Sequence, residues 1–122
     1  MKITKKDFEQ MQKKYDQEIR RGKPARGPQR DVDNQTNWIF FDRETIEEVL
    51  SKADQDPKKG GIKFYFTEYT EEVARKLYPE NPEDYIGRLG FVMSPCNSAS
   101  ENVDEEEEEY YNRGDFCPPK CE

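Results

Sequence analysis

The residues best equipped for chemistry are Cys96, Cys117 and Cys121, the three cysteines of a 122-residue chain that contains no histidine. Without histidine the commonest general base and the commonest neutral metal ligand are both missing. Cys117-Pro118-Pro119-Lys120-Cys121 places three residues between its thiols, where a common zinc knuckle has two. Zinc prefers four ligands, so a site on Cys96, Cys117 and Cys121 would need a carboxylate such as Asp115 or a second subunit. A disulfide between Cys117 and Cys121 would close a very short loop and restrict the unfolded chain little. Nearby acids push a thiol pKa up and disfavour a nucleophilic thiolate, with Lys120 a partial offset. The expectation is exposed thiols on a mobile tail, with no metal and no cofactor. Nucleophile motifs and Gly-rich phosphate loops are absent; Gly60-Gly61 precedes a strand and reads as a turn.

Beside the thiols stands the acid run Asp104, Glu105, Glu106, Glu107, Glu108 and Glu109, followed by Tyr110-Tyr111 and, further on, Phe116. Adjacent carboxylates repel one another, which predicts an extended, disordered tail. On such a tail Tyr110, Tyr111 and Phe116 would be apolar anchors for a partner, and the glutamates would steer association. Aromatics that dock the tail on its own core are the plainer alternative. Phosphate mimicry would need carboxylates fixed on a rigid element, so an acidic inhibitor or nucleic-acid mimic is a weaker alternative. Arg113-Gly114-Asp115 matches an adhesion tripeptide and Asn34-Gln35-Thr36 a glycosylation sequon, but neither comes with a secretory signal.

Composition describes one small polar domain, 39% charged and 32% hydrophobic, against roughly 25% charged in ordinary globular chains. Charge is segregated: residues 1–30 carry ten Lys/Arg against four Asp/Glu, while the remainder is net −13 and the whole chain −7. A general nucleic-acid binder is thereby disfavoured, because phosphate binding needs a cationic face. No stretch approaches the roughly 20 apolar residues of a membrane span, and the N-terminus has no apolar run behind its lysines. The chain reads as cytoplasmic, in a compartment that keeps cysteines reduced.

The elements that would position these groups follow from periodicity. Thr4 caps a basic helix within 1–22, with Phe8, Met11, Tyr15 and Ile19 on the face expected to dock on the core. Residues 23–37, with Pro24, Gly27 and Pro28, read as a flexible linker or long loop. An α/β core is expected over 38–95: a strand at 38–41, a helix over 43–53 capped by Asp42 and stapled by Phe41 and Ile46, and a strand at 62–67. A short helix over 70–78, a turn at Asn81-Pro82 and a strand at 89–93 complete it. The fold class is α+β or small α/β, about three strands with helices on one face, and the first two strands are close enough for a right-handed parallel crossover. Trp38, Phe40, Ile46, Val49, Leu50, Ile62, Phe64, Phe66, Leu77 and Phe91 are its expected core. Residues 96–122 form the acidic, cysteine-containing tail.

Three segments carry a resemblance: Trp38-Ile39-Phe40-Phe41 leading into Glu44-Thr45-Ile46-Glu47, the strand Gly61-Ile62-Lys63-Phe64-Tyr65-Phe66, and Cys117-Pro118-Pro119-Lys120-Cys121. Together they resemble small proteins of Bacteroidota genomes. The resemblance implies a bacterial cytoplasmic or accessory protein and no particular site. The functional expectation is a non-enzymatic protein–protein interaction protein that uses the basic helix, with Lys5, Lys6, Lys13, Lys14, Arg20 and Arg21, and the acidic tail. The alternative is a small redox or metal-binding protein, or an enzyme, built on Cys96, Cys117 and Cys121.

Overall fold

The computed structural model describes residues 2–98, 101–102, 110–112 and 114–117. Among them the fold is α+β, with antiparallel strand pairing throughout. Three helices begin at side-chain caps that satisfy otherwise orphaned backbone N–H groups. In α1 (Lys5–Gln17) the Thr4 hydroxyl accepts from the Asp7 amide at 3.1 Å. In α2 (Arg43–Leu50) the Asp42 carboxylate accepts from Thr45 at 2.8 Å. In α3 (Glu71–Leu77) the Thr70 hydroxyl accepts from Val73 at 3.3 Å. Two of them also bury apolar residues three or four positions apart, Phe8 and Met11 in α1 and Val73 and Leu77 in α3, while α2 buries Val49.

The strands are β1 (Lys2–Ile3), β2 (Trp38–Phe40), β3 (Gly61–Glu68), β4 (Leu89–Ser98), β5 (Glu101–Asn102), β6 (Tyr110–Tyr111) and β7 (Asp115–Cys117). The main sheet runs β1-β6-β4-β3, with β5 also on β4. Its longest ladder is β3 on β4, in continuous register from Gly61 opposite Cys96 to Glu68 opposite Leu89. β6 lies between β1 and β4, with Tyr111 opposite both Lys2 and Met93. The expected parallel crossover from β2 to β3 is not formed. β2 pairs instead with β7 in a separate two-stranded ladder, Ile39 opposite Phe116.

Strand alternation divides the interior into two clusters. Val92 and Tyr110 point to the side where Phe8 and Met11 of α1 and Val73, Ala74 and Leu77 of α3 pack. Their sequence neighbours Met93 and Tyr111 point to the other side, onto Val49 of α2, with Phe41, Ile46 and Ile62 beside them. Helices therefore cover both faces of the sheet, not one. The interior is rich in tyrosine: Tyr69, Tyr78, Tyr85, Tyr110 and Tyr111 are all buried. Tyr69 and Tyr78 have hydroxyl partners, as burial demands. The Tyr69 hydroxyl donates to the Asn112 side-chain oxygen and lies 3.4 Å from the Tyr78 hydroxyl, which donates to the Gly114 carbonyl at 3.2 Å.

The expected core is corrected at five positions. Trp38, Phe40, Leu50, Phe64 and Phe66 are exposed, whereas Val49 and Leu77 are buried and Ile46, Ile62 and Phe91 partly so. On β3 the helices cover the Tyr65 side; Phe8 meets Tyr65 edge-on at 4.8 Å and stacks on Tyr110 at 4.3 Å. Residues 23–37 form a long loop that is anchored by hydrogen bonds. Val32 donates to the Ala25 carbonyl at 2.7 Å, and the Gln35 side chain bridges the Gly87 carbonyl (2.7 Å) and the Leu89 amide (2.8 Å). Gly87 permits this close approach: its φ is +82°, and a Cβ there would sit 2.6 Å from the Arg26 carbonyl oxygen.

Because Tyr111 is 1% exposed and Phe64 47%, truncating them should have opposite consequences. Tyr111→Ala is expected to lower unfolding free energy by about 3–5 kcal/mol, as other buried aromatics do. Phe64→Ala should change it by less than ~1 kcal/mol. Urea denaturation of the full chain followed by far-UV circular dichroism checks the order.

Candidate functional site

Side chains at alternate positions of a strand share a face, so the β3–β4 register sets Phe64 and Phe66 beside Phe91 on the same side of the sheet. Phe66 lies 5.0 Å from Phe91 between ring centroids, Phe64 lies 6.1 Å from Phe91, and Tyr15 of α1 stacks on Phe66 at 5.9 Å. The result is a continuous aromatic strip, Phe64–Phe91–Phe66–Tyr15. Phe64 and Phe66 are about half exposed, at 47% and 49%. Single exposed apolar residues are common on any surface, but neighbouring aromatics aligned on one sheet face are not.

At the β3 N-terminus the strip runs into a cleft of about 570 Å³ lined by Lys58, Lys59, Lys63, Ile62, Phe64 and Cys96. Lys59 reaches Asp54 at 3.7 Å. Among the described residues neither Lys58 nor Lys63 has an ion pair; the Lys63 ammonium sits 5.6 Å from the Tyr65 ring centroid. The nearby acids are engaged by the turn itself, Asp54 accepting from the Asp56 amide and Asp56 from the Lys58 amide, each at 2.9 Å. The cleft is thus a basic spot on an acidic protein.

Beyond Phe66, β3 ends at Glu68, which is fully buried. One of its oxygens accepts from the Ile19 amide at 3.1 Å, and the other lies 3.7 Å from the Lys14 ammonium. Lys14 also bonds both oxygens of Glu18 at 2.9 and 3.0 Å, and Glu18 accepts from the Arg26 amide at 2.6 Å. Burial pushes the Glu68 carboxyl up to about 7; the Ile19 amide opposes the rise and the Glu18 carboxylate adds to it. Glu18 itself sits below its ordinary range: burial pushes it up, but the Lys14 ammonium, the Arg26 amide and Glu68 together outweigh that. Near neutral pH, therefore, two carboxyls, one ammonium and one exchangeable proton fasten the end of α1 to the end of β3.

The residues singled out from sequence are not brought together. Cys96 is buried on β4, and burial holds its thiol above the ordinary range, with Lys63 a partial offset. Cys117 lies on β7 opposite Trp38, and Cys121 lies outside the described residues. Among the described residues there is no cluster of three His, Cys, Asp or Glu placed to hold a metal. Tyr110 and Tyr111, expected as exposed anchors, are interior residues of β6, which lies between β1 and β4 and puts one ring in each core cluster. Phe116 pairs through its backbone with Ile39. Glu105, Glu106, Glu107, Glu108 and Glu109 lie outside the described residues. The basic helix is docked and not a free arm, though Lys5, Lys6, Lys13, Arg20 and Arg21 are exposed. Phe64 and Phe66 were legible as strand residues but were assigned to the core. Lys14 and Glu18 are four residues apart, the spacing of a helical ion pair, but no local signal joins Glu68 to them.

No family model, curated protein or solved structure matches this chain. The site therefore has to be read from its own geometry. No helix among the described residues is long and apolar enough to cross a membrane.

The sign of the pH effect follows from Glu68. Its carboxyl titrates at 4.5 when unperturbed and at about 7 in the fold, so between these values the folded chain holds a proton that the unfolded chain has lost. Stability from this group is complete below pH 4.5 and declines as pH rises through about 7. Glu68→Gln, a neutral isostere of the protonated form, should flatten the decline, making the variant more stable than wild type at about pH 8 by on the order of 1 kcal/mol or more. Thermal melts of both proteins across that range provide the check.

Proposed function

We propose that this is a non-enzymatic interaction protein whose contact surface is the aromatic strip on β3 and β4, and that it works in the cytoplasm. The observation carrying this reading is the side-by-side exposure of Phe64 (47%) and Phe66 (49%) over Phe91. Leaving such rings in water costs on the order of 1.5–3 kcal/mol each relative to burial, a deficit that a partner removes by covering them. Buried aromatic anchors of this type carry most of the affinity at protein interfaces. The basic residues exposed on α1 and after it, and the acid run Glu105–Glu109, belong to the same reading as charges that steer association and set its salt dependence.

The cysteine-based alternative gains no support from burial of Cys96 with its thiol held protonated, since nucleophilic and metal chemistry both require the thiolate.

Photo-cross-linking tests the surface. With p-benzoyl-phenylalanine in place of Phe64 or Phe66, irradiation in the native host should give one discrete adduct. The same probe in place of Glu80, exposed beyond α3, should not give it. Phe66→Ser should weaken the adduct at position 64 by about tenfold or more. Equal labelling from all three positions, or none from 64 and 66, would contradict the assignment.

A further inference from the structure

We infer that the strip and the adjoining lysine cleft together form a docking groove for an extended peptide segment of another protein, one that alternates acidic with aromatic or aliphatic residues. This rests on the interaction reading above and adds the chemistry of the partner.

Spacing is the first ground. Phe64 and Phe66 are two residues apart on a strand, so their rings repeat every ~7 Å. An extended peptide presents alternate side chains at the same repeat, whereas a helix presents one face every ~5.4 Å of axis. Phe91, between them on β4, gives such a peptide a continuous apolar floor about two strands wide. β3 also pairs with no strand other than β4 among the described residues.

Charge is the second ground. At the Phe64 end the cleft collects Lys58, Lys59 and Lys63, and only Lys59 has a carboxylate within reach among the described residues. Gly61 leaves this end open, since a Cβ there would meet nothing within 4 Å. A carboxylate here would meet the Lys58 and Lys59 ammonium groups beside an apolar wall, where charge-assisted bonds are stronger than in open water. A cationic segment would be repelled at this position.

A single-stranded nucleic acid would satisfy the same two features, with bases on the rings and phosphates on the lysines. Long-range charge decides against it. The chain is −7 overall, so a polyanion is opposed along its length. A peptide with a few carboxylates feels only charges within the Debye length, about 8 Å at physiological salt, and there the lysines dominate.

The test uses the full chain, labelled with 15N, and a short capped peptide alternating glutamate with phenylalanine and leucine. Amide shifts should move at residues 58–66 and at Phe91, and remain still at 80–85. The glutamine counterpart of the peptide, and the glutamate peptide against K58E/K59E, should each bind about tenfold more weakly or worse, and Phe64→Ser should do the same. Lys58, Lys59 and Phe64 are exposed, so these variants keep the fold, as their amide dispersion verifies. Equal binding of the glutamine peptide, preference for oligothymidylate at the same face, self-association that occupies the strip, or no shift at any peptide concentration would each overturn the inference. If the peptide fails while the probe at position 64 still gives its discrete adduct, the partner's chemistry is wrong and the contact surface stands.

Discussion

A fully buried asparagine side chain near the C-terminus holds the two halves of this molecule together. Asn112 donates to the Phe91 carbonyl of β4 at 2.5 Å and accepts from the Tyr69 hydroxyl at the end of β3. Tyr69 in turn meets Tyr78, which stacks on Tyr85 at 3.5 Å and bonds the Gly114 carbonyl. A buried polar network of this kind is stabilising only when every member finds its partner. Satisfying it requires β6 to enter between β1 and β4, and once there Tyr110 fills one cluster and Tyr111 the other. The N-terminal strand, the α1 helix behind it and both faces of the sheet then depend on a segment more than forty residues after β3.

That dependence marks the boundary of what sequence reading reaches. Helix starts at Thr4, Asp42 and Thr70 are legible because a cap and the first apolar turn lie within a few residues of each other. The β3–turn–α3–β4 stretch is legible for the same reason. The burial of Tyr110 and Tyr111 is not, since its cause is pairing with distant strands and the flanking glutamates announce a solvated tail. The buried face of β3 is ambiguous in principle. The even positions of 62–69 hold Ile62, Phe64, Phe66 and Glu68 and the odd ones Lys63, Tyr65, Thr67 and Tyr69, so each parity carries two aromatics and one charge. Val92 opposite Tyr65, together with the helices on that side, makes the choice, and phenylalanine's greater hydrophobicity does not override it. What no local pattern reveals in the loop over residues 23–37 is its anchoring, in which Gln35 satisfies backbone groups at 87 and 89.

The site was half legible. Phe64 and Phe66 stood out as aromatics of one strand, but as interior ones; α2 covers their face over Met93, Tyr111 and Ile62 and leaves these two rings about half exposed. The lysines of the 58–63 turn become a cleft only when β4 places Cys96 opposite Gly61. At the far end of the strip, Tyr15 stacks on Phe66, and its chain neighbours Lys14 and Glu18 pair with each other while Lys14 reaches Glu68 at the end of β3. Fold and contact surface therefore meet at the end of β3: the strand that displays the aromatics is the one whose last residue fastens α1.

Everything above turns on whether β6 is an integral strand, and native-state hydrogen exchange on the full chain measures that directly. The Tyr110, Tyr111 and Asn112 amides, buried between β1 and β4, should exchange as slowly as those of Val92 and Met93, through the same global opening. Exchange of the three at the rate of an unstructured peptide, with Val92 and Met93 still protected, would show a core complete without them and would contradict the structure's central element.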